Sequence, residues 1–123
     1  MSDHYHDPKD PSQLKRMRAL APQEFGAWLG LEKIVAREDG AIPAKYRQLI
    51  GIAVALHTQC PYCIEAHVRA AKKAGATPEE LAETAFIAAA LAAGAATMHG
   101  AMAFKFFEEN EGANKLPRND PPR

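Results

Sequence analysis

Leu49-Ile50-Gly51-Ile52-Ala53-Val54-Ala55-Leu56 reads two ways, as a buried strand or as the middle of a helix. The fold class turns on the choice. The segment around it is long and rich in Ala and Leu, and no neighbouring run offers itself as a strand partner, so helix is the better reading. Pro43 suits the first position of that helix, which runs to about Thr58. Its apolar residues surround the axis instead of marking one stripe, so it should be central and buried. Toward the C-terminus, Cys60 precedes Pro61, which pushes its backbone away from helical angles and makes it an N-cap. A fourth helix then runs from Pro61 to near Gly75. Thr77-Pro78-Glu79-Glu80 has an N-cap threonine, a first-position proline and the reciprocal acid of a capping box. The fifth helix runs from there to about Ala95. A sixth, from about Thr97 to Asn110, is either separate or a continuation past Gly94. Toward the N-terminus, Phe25, Trp28, Leu29, Glu32 and Val35 keep the i, i+3, i+4, i+7 rhythm of a helix from about Pro22 to Glu38, closed by Asp39-Gly40. Gln13 to Leu20 reads as a short helix. The expected architecture is all-α: a polar arm over 1–12 that includes His4 and His6, a helical domain of about six helices over 13–111, and a Pro-rich tail over 112–123.

The composition narrows the function. Fifteen Lys and Arg balance fifteen Asp and Glu, so no basic footprint for nucleic acid is present. Near-zero charge gives little protection against self-association. Hydrophobic content is 47%, much of it alanine, which suits close helix packing. The opening residues are polar, unlike a signal peptide. No apolar run approaches the roughly 20 residues of a membrane span. A cytoplasmic location with no membrane partner is therefore expected. In a reducing compartment, close cysteines point to redox or metal chemistry before a structural staple.

The two cysteines of the chain are three positions apart in Cys60-Pro61-Tyr62-Cys63, and His67 follows four later. Cys63 falls in the first helical turn, where free amides and the positive end of the helix dipole favour thiolate. His67, one turn on, lies on the same face and can carry the thiol proton. Once one sulfur is oxidised, the other is near enough to form a disulfide. Two rivals stand beside this. Two core sulfurs and a core histidine also satisfy a packed helix. Alternatively Cys60, Cys63 and His67, with His57 or His99, supply four zinc ligands; without a second CxxC pair, no metal is expected. His99 is a second candidate for proton handling. Glu65 should point away as solvated charge. Trp28 and Phe104, Phe106 and Phe107 read as core or subunit contact. A thioredoxin fold is disfavoured because no βαβ pattern surrounds the motif.

Taken in order, Tyr46-Arg47-Gln48-Leu49-Ile50, Ala53-Val54-Ala55, Cys60-Pro61-Tyr62-Cys63-Ile64-Glu65-Ala66-His67, Gly75-Ala76-Thr77 and Glu79-Glu80 resemble the carboxymuconolactone decarboxylase superfamily, in its alkylhydroperoxidase D-like (AhpD-like) branch. The likeness covers about Ala41 to Met102. It implies an AhpD-like helical domain in a ring-like homo-oligomer, a hexamer or trimer, with thiol-dependent peroxidase activity and no haem, flavin or other cofactor. By resemblance Cys63 attacks the hydroperoxide, Cys60 resolves the disulfide, and His67 belongs to a proton relay. The implied reductant is a dithiol partner, lipoyl-bearing or thioredoxin-like. Decarboxylase members generally lack the cysteine pair, which argues against lactone chemistry. The relay glutamate falls at Gln48, twelve before Cys60, and glutamine cannot accept a proton at neutral pH. An inner position that can hold histidine is Tyr62. His99 is the leading substitute for the acid, followed by Glu32 and His57. The alternative is a non-enzymatic redox-sensing or dithiol-exchange module using the same disulfide.

Overall fold

The computed structural model describes residues 5–115, with side chains to residue 109. Among the described residues the chain is helical and has no strand. A 3-10 turn over Asp10–Gln13 leads into α1 (Leu14–Leu20), α2 (Pro22–Val35), α3 (Ala44–Thr58), α4 (Pro61–Lys73) and α5 (Pro78–Lys115). The chain divides into two units, Met1–Ala88 and Ala89–Arg123.

The first unit is built on α3 and α4. The ambiguous stretch at Leu49 is helical, as its length and alanine content require. Gln48, Ile52 and Ala55 of α3 are buried with Ala71 of α4 and Thr84 of α5. α3 is not buried all round: Ile50 and Val54 are 51% and 56% exposed. The α4 side is covered, whereas the side that carries Ile50 and Val54 stays exposed among the described residues.

Element boundaries follow local hydrogen bonding. Pro43 is extended (ψ 151°) and precedes α3 as its N-cap instead of opening it. α2 stops at Val35, short of Glu38. Arg47 Nη1 donates to the Ile34 carbonyl at 2.8 Å and Nε to the Ile42 carbonyl at 2.9 Å, so a side chain of α3 takes up the end of α2. α3 closes on Gln59 in the left-handed region (φ 57°, ψ 49°), which turns the chain directly into Cys60. α4 ends on Gly75 (φ 92°); Ala76 N–H reaches the Ala71 carbonyl at 2.9 Å and Gly75 N–H the Lys72 carbonyl at 3.1 Å. That is a Schellman closure, which needs the left-handed residue. The expected capping box opens α5: Glu80 N–H donates to Thr77 Oγ1 at 3.1 Å and Thr77 N–H to Glu80 Oε1 at 3.0 Å. Lys45 Nζ meets Glu80 Oε2 at 3.0 Å, tying the start of α3 to the same cap.

The second unit is the remainder of α5. Of the two alternatives for the segment after Gly94, the continuation holds and one helix runs through it, because an isolated glycine lowers helix stability by only about 1 kcal/mol. Leu91, Met98, Met102, Phe104 and Phe107 are exposed along it. Over Pro78–Glu109, α5 is long and apolar enough to cross a membrane by length and composition alone. The expectation that no run approaches a span is corrected accordingly, since Thr97 and His99 are too weakly polar to divide the segment. The expected tail over 112–123 begins as the last turn of α5, and residues 116–123 lie outside the described residues. So does His4 of the N-terminal arm.

Candidate functional site

Cys60 and Cys63 are joined by a disulfide, their Cα atoms 5.3 Å apart. Cys60 is the N-cap of α4 in an extended conformation (φ −102°, ψ 97°), as its place before proline requires. Its Sγ accepts from the Cys63 N–H at 3.2 Å. The pair therefore stands at the positive end of a helix, where negative charge on sulfur is favoured.

His67 is one turn further along α4. Its Nδ1 lies 2.7 Å from Gln48 Oε1. A carbonyl oxygen only accepts, so Nδ1–H is the donor, and in the neutral ring the lone pair is then on Nε2. Gln48 is 8% exposed, so the tautomer is fixed from the interior of α3.

Cys60, Cys63 and His67 share a hollow of about 470 Å³. Leu14 and Met17 of α1, Trp28 of α2 and Ala66 of α4 give it apolar walls; Asp10, Glu32 and Tyr62 add polar groups. Phe25 packs edge-on against Trp28, ring centres 5.5 Å apart. A smaller hollow of about 250 Å³ near Leu49, Val68 and Leu81 contains neither sulfur, histidine nor carboxylate.

Tyr62 joins the site to the N-terminal arm. Its hydroxyl donates to Asp10 Oδ2, which also accepts from Asp7 N–H at 2.7 Å. These bonds, that from Tyr62 first, hold the Asp10 carboxyl below its usual range. Reciprocally, the bond to Asp10 pushes the Tyr62 phenol above its own. The His6 ring stands edge-on to Tyr62 at 6.4 Å and remains exposed to solvent.

Among the residues singled out from sequence, Cys60, Cys63, His67 and Glu32 line one hollow. Gln48 stands behind His67. His57 is exposed on the last turn of α3 and does not line the hollow, and His99 is exposed on α5 in the second unit. Glu65 faces outward and pairs with Arg69 at 2.8 Å. Trp28 is a wall of the hollow; the helical rhythm had marked it only as apolar. Asp10 and Met17 had no signal in sequence, because nothing local ties them to a motif 50 residues away. Among the described residues no three His, Cys, Asp or Glu side chains gather as a metal site requires.

The sequence profile of the Carboxymuconolactone decarboxylase family matches residues 22–106. A Paracoccus denitrificans protein, "Uncharacterized protein 4 in cox locus", is 46% identical over 87 residues, covering 71% of this chain and 78% of that protein. An uncharacterized protein of Cupriavidus necator is 32% identical over 87 residues, covering 71% and 76%. The crystal structure of a carboxymuconolactone decarboxylase family protein from Legionella pneumophila superposes with a TM-score of 0.61 at 35% identity, covering 80% of this chain and 88% of that one. The protein thus belongs to the carboxymuconolactone decarboxylase family, and its disulfide-forming pair is consistent with the AhpD-like branch.

Proposed function

We propose that this protein is a thiol-dependent peroxidase that reduces hydroperoxides through a Cys60–Cys63 dithiol/disulfide cycle. The observation that carries the reading is the disulfide at the mouth of α4, in one apolar hollow with a histidine of fixed tautomer. In the reduced protein the Cys63 thiolate attacks one peroxide oxygen. The O–O bond breaks, the alcohol leaves with a proton carried by His67, and Cys63 becomes a sulfenic acid. The Cys60 thiolate then attacks the Cys63 sulfur, forming the S–S bond and expelling hydroxide, which is protonated to water. A dithiol, lipoyl-bearing or thioredoxin-like, restores both thiols by two exchanges and departs as its own disulfide.

Gln48 orients His67 but takes no proton from it. Glu32, in the hollow, and His99 are the candidates for the missing acid or base. The protein is proposed to act in the cytoplasm as a homo-oligomer, trimeric or hexameric. The exposed apolar face of α5 then serves as subunit contact instead of lipid contact, since alanine and glycine let helices approach closely. A second reading, a redox-sensing or dithiol-exchange module, is favoured by one observation, the neutral Gln48 where the resemblance implies an acid.

The test is peroxide consumption with a dithiol donor by wild type, Cys63→Ser, His67→Ala and His99→Gln. Loss of turnover in Cys63→Ser and His67→Ala is expected; equal rates in wild type and Cys63→Ser would reject the mechanism. Disulfide formation without turnover would leave the second reading. An unchanged His99→Gln would remove that residue from the relay.

A further inference from the structure

Gly51 lies in the middle of α3, where glycine is unfavourable relative to alanine. A Cβ built there would stand 3.0 Å from Cγ, 3.0 Å from Nδ1 and 3.1 Å from Cε1 of the His67 ring. The near-equal distances to Nδ1 and both of its ring neighbours place that Cβ over the face of the imidazole, beside the nitrogen that bonds Gln48. A Cβ at Gly26 or Gly30, in α2, would meet nothing within 4 Å. The close approach at Gly51 is therefore specific to His67 and does not extend to the helical glycines of α2.

Gln48 and Gly51 are one turn apart on the same side of α3; Gln48 meets the Nδ1 edge of the imidazole and Gly51 lies against its face. One supplies the acceptor for Nδ1–H at 2.7 Å. The other supplies the missing methyl that lets the ring come near enough to reach that acceptor. From this we infer that Gly51 is a positioning residue. Its lack of a side chain seats the His67 ring against α3, keeps the bond to Gln48, and leaves Nε2 turned toward the hollow that holds the sulfurs. A methyl at position 51 displaces the ring by a few tenths of an ångström or more, and the bond from Nδ1 lengthens with it. This inference rests on the proposed role of His67 in proton transfer to and from Cys63.

The test is a double-mutant cycle on the full chain: wild type, Gly51→Ala, His67→Ala and the double variant. Two readouts are needed. The first is the rate of Cys60–Cys63 disulfide formation in reduced protein mixed with peroxide. The second is the ring nitrogen resonances of His67, which report the tautomer and the Nδ1–H hydrogen bond without any turnover. Gly51→Ala should slow disulfide formation on the order of tenfold when His67 is present and by less than about twofold when it is absent. It should also shift the Nδ1 resonance of His67. Equal slowing with and without His67, or no slowing with an unmoved resonance, would overturn the inference. If peroxide fails to oxidise any of the four proteins, the peroxidase reading falls, and the resonance alone still decides whether Gly51 seats the ring. A Gly51→Ala protein that does not fold while His67→Ala/Gly51→Ala does would itself support the contact, because removing the ring would have relieved it.

Discussion

Gln48 holds His67 across 19 positions of sequence, Oε1 to Nδ1 at 2.7 Å, and does so from a buried place on α3. The contact joins the two helices that form the middle of the first unit. It also decides which nitrogen of the ring is free. A glutamine here acts as a fixed orienter, not as the terminal acid of a relay.

Gln48→Met keeps the bulk of the side chain and removes the acceptor. The Nδ1–H of His67 is then left without a partner, at a cost of about 1–2 kcal/mol in stability. The tautomer is no longer enforced, so peroxide-driven disulfide formation should slow as well. Urea midpoints and stopped-flow oxidation of the reduced protein would measure the two effects. An unchanged oxidation rate would show that ring orientation is immaterial to the sulfurs.

The Lys45–Glu80 pair makes stability pH-dependent at both ends. The bond to Lys45 is the first cause holding the Glu80 carboxyl below its ordinary 4.5. A lowered folded value contributes stability above the unfolded value and loses it as pH falls through the folded one. The same contact raises Lys45 above its ordinary 10.5, a contribution present below that value and lost as pH rises through the folded one. Thermal midpoints of Glu80→Gln should therefore fall less steeply than wild type below about pH 4.5. The difference should shrink in high salt, which screens a partly exposed pair.

Asp10 and Tyr62 titrate as partners. The phenol sits above its ordinary 10.0 because its proton is held by the Asp10 carboxylate. Asp10→Asn removes that charge, so the ultraviolet titration of Tyr62 should move back toward lower pH. Tyr62→Phe should in turn let the Asp10 carboxyl rise toward its ordinary 3.8. Protease cleavage in residues 7–13 should quicken in either variant. A tyrosine titration indifferent to Asp10→Asn would mean the arm is not seated on α4 in solution.

Exposed Leu91, Met98, Met102, Phe104 and Phe107 are more apolar surface than a lone chain of this size usually leaves in water. Light scattering on protein purified without detergent should give a mass of three or six chains. Phe104→Asp should lower it. A monodisperse monomer would remove the oligomer from the proposal, and a protein recoverable only in detergent would favour lipid as the partner of α5.

What could be read from sequence was what depends on near neighbours. Thr77 and Glu80 cap each other three positions apart, Cys60 becomes an N-cap because Pro61 follows it, and His67 faces Cys63 because both lie on one helix. The pairing of Asp10 with Tyr62 was not legible, since it spans separate elements whose packing no local pattern encodes; that of Gln48 with His67 was approached only through the family resemblance, which sets both in one relay. Trp28 was legible as apolar but not as a wall of the hollow. The burial of α3 was overstated for a related reason: apolar residues around an axis say that cover is wanted, not that one chain provides it. Whether α5 ran unbroken past Gly94 was left open between two alternatives, because a single glycine weakens a helix without ending it.

Only Gln59 and Cys60 separate α3 from α4, and Gln59 makes the turn in a left-handed conformation. So short a joint has no slack. Any backbone shift at Cys60 is therefore passed straight from one helix to the other. Lengthening the chain by even a residue between Thr58 and Cys60 would let the two rods drift apart in register while each stayed intact, producing a protein with native helix content whose His67 ring no longer meets Gln48.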